Sequence, residues 1–154
     1  LSRDYPGITI LITTMTPTGS ATVRELFGAA VAHCYVPYDL PTAVWRFLNR
    51  SRPRLALIME TELWPNIIAA AKARNIPLAL VNARLSARSQ RGYLRFHALV
   101  APAFAALDLV TAQTAADAAR IRSLGAHNVH VTGNLKFEYY DEIKSAVDMI
   151  FLGL

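Results

Sequence analysis

Three short stretches carry side chains whose types and spacing could do chemistry. In "LALIMETELWPN", residues 55–66, an unbroken apolar run ends in two carboxylates, Glu60 and Glu62, followed at once by Trp64 and Pro65. A carboxylate at the end of such a run could accept a proton, accept a hydrogen bond from a substrate hydroxyl, or pair with an arginine. Glu62 also has a structural reading, because an acid just ahead of Pro65 would complement the dipole of a helix beginning there. Glu60 resists that explanation, since it continues the buried alternation of the run. In "NARLSARSQRGY", residues 82–93, Arg84 and Arg88 lie four apart and, on a helix, would share a face. A cation near a helix N-terminus opposes the dipole and is mildly costly unless it holds an anion. Forked guanidinium donors suit the paired oxygens of phosphate or carboxylate. In "TTMTPTGS", residues 13–20, the hydroxyls of Thr16, Thr18 and Ser20 and the backbone at Gly19 could form an anion site where a helix opens, although the same residues also serve as caps.

Other chemistries find no support in the residues. No pair of the four histidines has metal-ligand spacing, so a metal site is not expected. The single cysteine, Cys34, excludes a disulfide framework within the chain and fits a reducing compartment. There is no Walker loop, no G-x-G-x-x-G and no G-x-S-x-G elbow. The arginines are not interleaved with an aromatic platform, which argues against nucleic acid. A formal net charge of +5, from 16 basic and 11 acidic residues, still favours an anionic partner such as a phosphate-bearing substrate or acidic headgroups. No apolar run approaches the roughly 20 residues that span a bilayer, so membrane contact is expected to be peripheral. The chain starts with Leu1 and enters a strand within ten residues, and is read as a fragment.

The elements that must position these residues follow from periodicity. Short apolar runs at 8–14, 31–36, 55–59, 78–82, 107–112 and 129–133 read as strands. Between them, 20–30, 41–51, 63–75, 86–107 and 114–125 carry helical spacing and recognisable ends. Runs apolar on both faces belong in a parallel sheet covered by helices, and right-handed crossovers make it an α/β, Rossmann-like, doubly wound sheet. Ligands then sit beyond the carboxyl ends of the strands, where Thr18, Gly19, Ser20, Glu60, Glu62 and Arg84 all fall. The domain is expected to occupy 1–138. Residues 139–154 read as a linker or a truncated C-terminal helix.

Taken in order, "TTMTPTGS", "YVPYDLP", "METELWPN", "NARLSARS" and "TGNLKFE" resemble the N-terminal domain of the bacterial 3-deoxy-D-manno-oct-2-ulosonic acid (Kdo) transferases of lipopolysaccharide synthesis. The resemblance covers about residues 11–138. It implies the acceptor-binding half of a GT-B glycosyltransferase that moves Kdo from CMP-Kdo to a phosphorylated lipid A precursor. It places the protein at the cytoplasmic face of the inner membrane, in peripheral contact with anionic lipid, with no metal or other cofactor and no nucleic acid partner. Matched by motif, Glu60, Glu62, Arg84, Ser86, Arg88 and Lys136 are expected to handle substrate, alongside Thr18, Gly19 and Ser20. The family's first strand and the glycine-rich turn bearing its general-base glutamate would lie upstream of Leu1, and its donor domain downstream, so the chain alone is expected to be inactive. The alternative is a stand-alone anion-binding or interaction module on the same fold.

Overall fold

The computed structural model describes residues 7–134 and 149–153. The elements run β1 (Ile10–Thr14), α1 (Pro17–Phe27), a short 3-10 turn (Gly28–Ala30), β2 (Ala32–Tyr35), α2 (Pro41–Ser51), β3 (Leu55–Met59), α3 (Pro65–Lys72), β4 (Leu78–Ala83), α4 (Ala87–Arg95), α5 (His97–Ala105), β5 (Leu109–Ala112), α6 (Ala115–Ser123), β6 (Val129–Val131) and β7 (Met149–Leu152). The six strands expected from the apolar runs are all present, within two residues at each end.

The strands form one sheet in the order β2-β1-β7-β3-β4-β5-β6. β1 pairs with β2, and β3, β4, β5 and β6 pair in succession, all parallel. From β1 the chain moves outward to β2, then crosses back over β1 and β7 to β3 and continues the other way. That reversal makes the sheet doubly wound. Right-handed crossovers put the helices of the two directions on opposite faces. Val23 of α1 accordingly clusters with Ile12 and Met59, whereas α2, α3, α5 and α6 supply Leu48, Ile67, Ile68, Phe104 and Ile121 to the larger core.

Two expectations need correction. The single helix read over 86–107 is two helices, broken at Phe96, whose N–H bonds back three residues to the Tyr93 carbonyl. The break lets Val100, Ala103 and Phe104 of α5 enter the core while the polar face of α4, which buries no residue, stays outside. The apolar end of the expected C-terminal helix is instead β7, and it runs antiparallel to both neighbours, so the sheet is mixed rather than wholly parallel. Four consecutive apolar residues, "MIFL", give a helix no polar face, but they suit a central strand covered on both sides. Met149 and Phe151 are fully buried, and Phe151 meets Phe47 of α2 edge to face at 5.0 Å. Residues 139–148, the rest of the expected linker or helix, lie outside the described residues.

At the opposite edge from the expected ligand site, Asp108 ties β4 to α3. One carboxylate oxygen accepts the Leu78 N–H at 2.9 Å and the other meets Lys72 Nζ at 3.1 Å. The Leu78 hydrogen bond, more than the Lys72 charge, holds this carboxyl below its ordinary 3.8. A carboxyl depressed in the fold stabilises it fully above the unfolded value and loses that contribution as pH falls through the folded one. Chemical denaturation between pH 5 and pH 2 should therefore show Asp108→Asn losing less stability on acidification than the parent. Parallel curves would show that Asp108 carries no such linkage.

Candidate functional site at the carboxyl edge of the sheet

The first helix of the site is capped in an ordinary way. Thr16 is the N-cap of α1, its Oγ1 accepting the Gly19 N–H at 3.0 Å, with Pro17 opening the first turn. The Gly19 donor is thus spent inside the protein, and the Ser20 N–H bonds the Thr16 carbonyl. Gly19 and Ser20 are buried, whereas Thr16, whose hydroxyl caps the helix, and Thr18 are exposed.

β3 ends differently. Met59 is its last residue, and Glu60 takes a left-handed backbone conformation at φ 56, with its N–H still bonded to the Val81 carbonyl of β4. For a residue with a Cβ that conformation costs about 1–2 kcal/mol, and glycine or asparagine would relieve it. Asn82, near the end of β4, is also left-handed at φ 57, beside a register shift in the β4–β5 ladder. It is fully buried and held by Thr111 Oγ1 and the Gln113 amide. Adjacent strands therefore carry unusual backbone at the same edge, a pattern associated with functional sites.

The structural explanation for Glu62 is taken by another residue. α3 begins at Pro65 with no acid in its first turn, and its N-cap position, Trp64, contributes no side-chain bond. Its free N–H groups are satisfied by Asp39 from the β2–α2 loop. Asp39 Oδ2 accepts from Asn66 N at 3.0 Å and Oδ1 from Ile67 N at 2.9 Å, while the Asn66 amide returns a bond to the Asp39 carbonyl at 2.6 Å. Glu62 is released from capping and exposed; its charge reaches Tyr93 of α4, whose hydroxyl is raised first by burial and then by Glu62. Trp64 Nε1 beside it is a buried donor with no partner among the described residues.

Thr61 joins the two acids to the arginine loop. Its hydroxyl donates to the Arg84 carbonyl and accepts the Arg84 N–H at 3.2 Å, clamping the β3 and β4 loops together. One residue on, the Leu85 N–H donates to Asp117 Oδ1 at 2.9 Å and its carbonyl accepts from Arg120 at 3.0 Å, both on α6. The backbone on either side of the Arg84 side chain is thus fixed, while the side chain itself is exposed. Arg84 lies ahead of α4, not on it, so Arg84 and Arg88 do not share a helix face as expected. Ser86 is the N-cap, its Oγ accepting Ser89 N at 3.0 Å. The face of α4 instead carries Arg88, Arg91 and Arg95, all exposed and spaced i, i+3, i+7. Lys136 lies outside the described residues.

Glu60, Glu62, Arg84 and Ser86 thus lie on two clamped loops at the carboxyl ends of β3 and β4, Arg88 on the first turn of α4 beyond them, and Thr18, Gly19 and Ser20 on the first turn of α1, which follows β1 at the same edge. Asp39, Thr61, Tyr93 and Asp117 were not anticipated as members. Asp39 gave little signal, because it sits two residues before Pro41 and reads as a cap for its own helix. A cavity of about 360 Å³ lined by Leu48, Asn49, Arg52, Pro53, Arg74 and Ile76 lies at the other, amino edge. There Arg74 bonds the Ala70 carbonyl and Asn49, and Arg52 bonds the Asn49 carbonyl, ordinary work for cations at helix C-termini.

Sheet order and edge placement together define an open, doubly wound α/β domain with its candidate residues at the carboxyl ends of the strands, where sheets of this kind receive ligands. The chain matches the family described as 3-deoxy-D-manno-octulosonic-acid transferase (kdotransferase) over residues 1–139, and it belongs to that family. It is 41% identical over 154 residues to a 3-deoxy-D-manno-octulosonic acid transferase of Haemophilus influenzae, covering 97% of this chain and 36% of the relative. It is 46% identical over 137 residues to the protein of the same name from Bordetella pertussis, covering 86% and 32%. A probable mitochondrial 3-deoxy-D-manno-octulosonic acid transferase of Arabidopsis thaliana is 44% identical over 82 residues, 53% of this chain and 18% of the relative. The chain thus spans about a third of the length of the two bacterial relatives.

The different tasks of the two acids can be separated by stability. Asp39→Ala should cost about 1–2 kcal/mol in urea unfolding, as loss of a helix cap does. Glu62→Ala should stay within about 0.5 kcal/mol of the parent. A larger loss for Glu62 than for Asp39 would return Glu62 to a structural role.

Proposed function

We propose that the chain is the acceptor-side half of a GT-B glycosyltransferase that transfers Kdo from CMP-Kdo to a lipid A precursor bearing phosphates. The observation that carries the reading is the pair Glu60 and Glu62, flanking Thr61, which clamps their loop to the one presenting Arg84, while Asp39 takes the helix-capping role from Glu62. Two carboxylates beside a guanidinium on rigid loops suit a phosphorylated sugar. The acids accept from sugar hydroxyls, and the arginine meets phosphate or the donor's carboxylate. Glu60 and Glu62 act here as orienting groups, with Arg84, Arg88 and Lys136 meeting charge and Thr18 and Ser86 at the rim. The reaction on this reading needs no metal or other cofactor.

Contact with the anionic cytoplasmic face of the inner membrane completes the reading. No helix among the described residues is long and apolar enough to cross a membrane. Met15, Tyr38 and Leu40 are exposed on the loops that follow β1 and β2, at the same edge as the acids, and Trp45 is exposed near the start of α2. Such side chains enter the headgroup region while the arginines of α4 attract acidic lipid.

The test is a chimera in which this chain replaces the matching residues of the Haemophilus influenzae relative, assayed for Kdo transfer from CMP-Kdo. Glu60→Gln and Arg84→Ala should each lower kcat/KM by about a hundredfold or more, with thermal unfolding little changed. Parental activity in both folded variants would contradict the assignment.

A further inference from the structure

Among the described residues other than glycine, Arg52, Glu60, Asn75 and Asn82 have positive φ. Asparagine tolerates that region because its short polar side chain bonds locally. Glu60 belongs to the candidate site. Arg52 has neither explanation. It is the C-cap of α2 at φ 41 and ψ 51, a place that glycine or asparagine ordinarily takes, and Pro53 after it favours extended backbone at the preceding residue. After α3, by contrast, the left-handed residue is Asn75. An arginine kept on unfavourable backbone points to a use for its side chain.

Helix capping accounts for only part of that side chain. Arg52 Nε donates to the Asn49 carbonyl at 3.3 Å, while Nη1 and Nη2 have neither a hydrogen bond nor an ion pair among the described residues. Arg74, on the same cavity, is fully engaged: Nη1 donates to the Ala70 carbonyl at 3.0 Å and Nη2 to Asn49 Oδ1 at 3.2 Å. That second bond takes the oxygen of the Asn49 amide and leaves its Nδ2 donors open. The cavity measures about 360 Å³ and has no acid in its lining. Small-ligand sites run from about 300 to 1,000 Å³. Leu48, Pro53 and Ile76, all buried, form its apolar part, and Asn49 and Arg52 its exposed rim.

We propose that this cavity at the amino edge is a binding site for a small carboxylate with an apolar body. The open fork of Arg52 matches the two oxygens of one carboxylate, Asn49 Nδ2 supplies a further donor, and Leu48, Pro53 and Ile76 receive the apolar body. Charge narrows the class. The C-terminal ends of α2 and α3 both lie here, and their partial negative charge opposes a dianion more than a monoanion, which favours a carboxylate over a phosphate monoester. The ligand bridges α2 and α3 at the ends opposite Asp39, which ties the loop before α2 to the start of α3. The site is separate from the carboxyl edge and stands whether or not the acceptor reading holds.

The experiment titrates the whole isotope-labelled chain with benzoate at constant ionic strength and follows amide chemical shifts, with benzamide and phenyl phosphate as comparisons. Saturable shifts are expected at Asn49, Arg52, Arg74 and Ile76. Benzamide should bind about tenfold more weakly or worse, because it lacks the charge, and phenyl phosphate no more tightly than benzoate. Arg52→Gly separates binding from capping: it relaxes the left-handed C-cap, so its urea midpoint should equal or exceed the parent's while benzoate binding falls about tenfold or more. Asn49→Asp, which keeps an acceptor for Arg74 and adds a negative charge, should lose binding likewise. Benzamide binding as tightly as benzoate would make the cavity merely apolar, and tighter binding of phenyl phosphate would make it a phosphate site. Either result, unsaturable shifts in the parent, or undiminished binding in Arg52→Gly and Asn49→Asp overturns the proposal.

Discussion

β1 and β3 exchange no ladder with each other; each bonds to β7, and through it the two halves of the sheet become one. On one side stands the β1-α1-β2 unit with its small cluster around Ile12 and Val23, and on the other the larger core beneath β3 to β6. Buried N–H and C=O groups must find partners, so a gap here would expose two strand edges in the middle of the fold. β7 closes it with four residues, three of them buried, and with the Thr13 hydroxyl on the Met149 carbonyl at 3.2 Å. The relative position of the β1 loop and the acidic β3 loop depends on that ladder.

The carboxyl edge of the sheet is held by bonds that run between loops and helix ends rather than along elements. Asp39 reaches from the β2 loop to the start of α3, Thr61 from the β3 loop to the β4 loop, and Asp117 and Arg120 from α6 to Leu85. Each satisfies backbone groups that would otherwise be orphaned at strand and helix ends. The result is that Glu60 projects from backbone still bonded to β4, and Arg84 from backbone held at its own N–H and carbonyl and at Leu85.

Much of this was legible in the sequence because the information is local. Apolar runs apolar on both faces located all six parallel strands, and the strand-end rule directed attention to Glu60, Glu62 and Arg84. What escaped depends on contacts far apart in sequence. The capping of α3 by Asp39 joins residues 27 and 28 apart, and no periodicity announces it. The strand nature of "MIFL" is realised by pairing with β1 and β3, both far away in sequence. The break at Phe96 follows from the need to send α5 inward and keep the arginines of α4 out. The family resemblance, by contrast, rested on five ordered motifs, and the match over residues 1–139 agrees with it.

The central claim is that ligand chemistry resides at the carboxyl edge, on the clamped β3 and β4 loops. The most direct measurement is a titration of isotope-labelled chain with a water-soluble glucosamine disaccharide bisphosphate, followed by amide chemical shifts. The account predicts saturable shifts at Glu60, Thr61, Glu62, Arg84 and Arg88 that weaken with added salt. Shifts centred on Asn49, Arg52 and Arg74 at the opposite edge, with the carboxyl-edge loops unmoved, would contradict it.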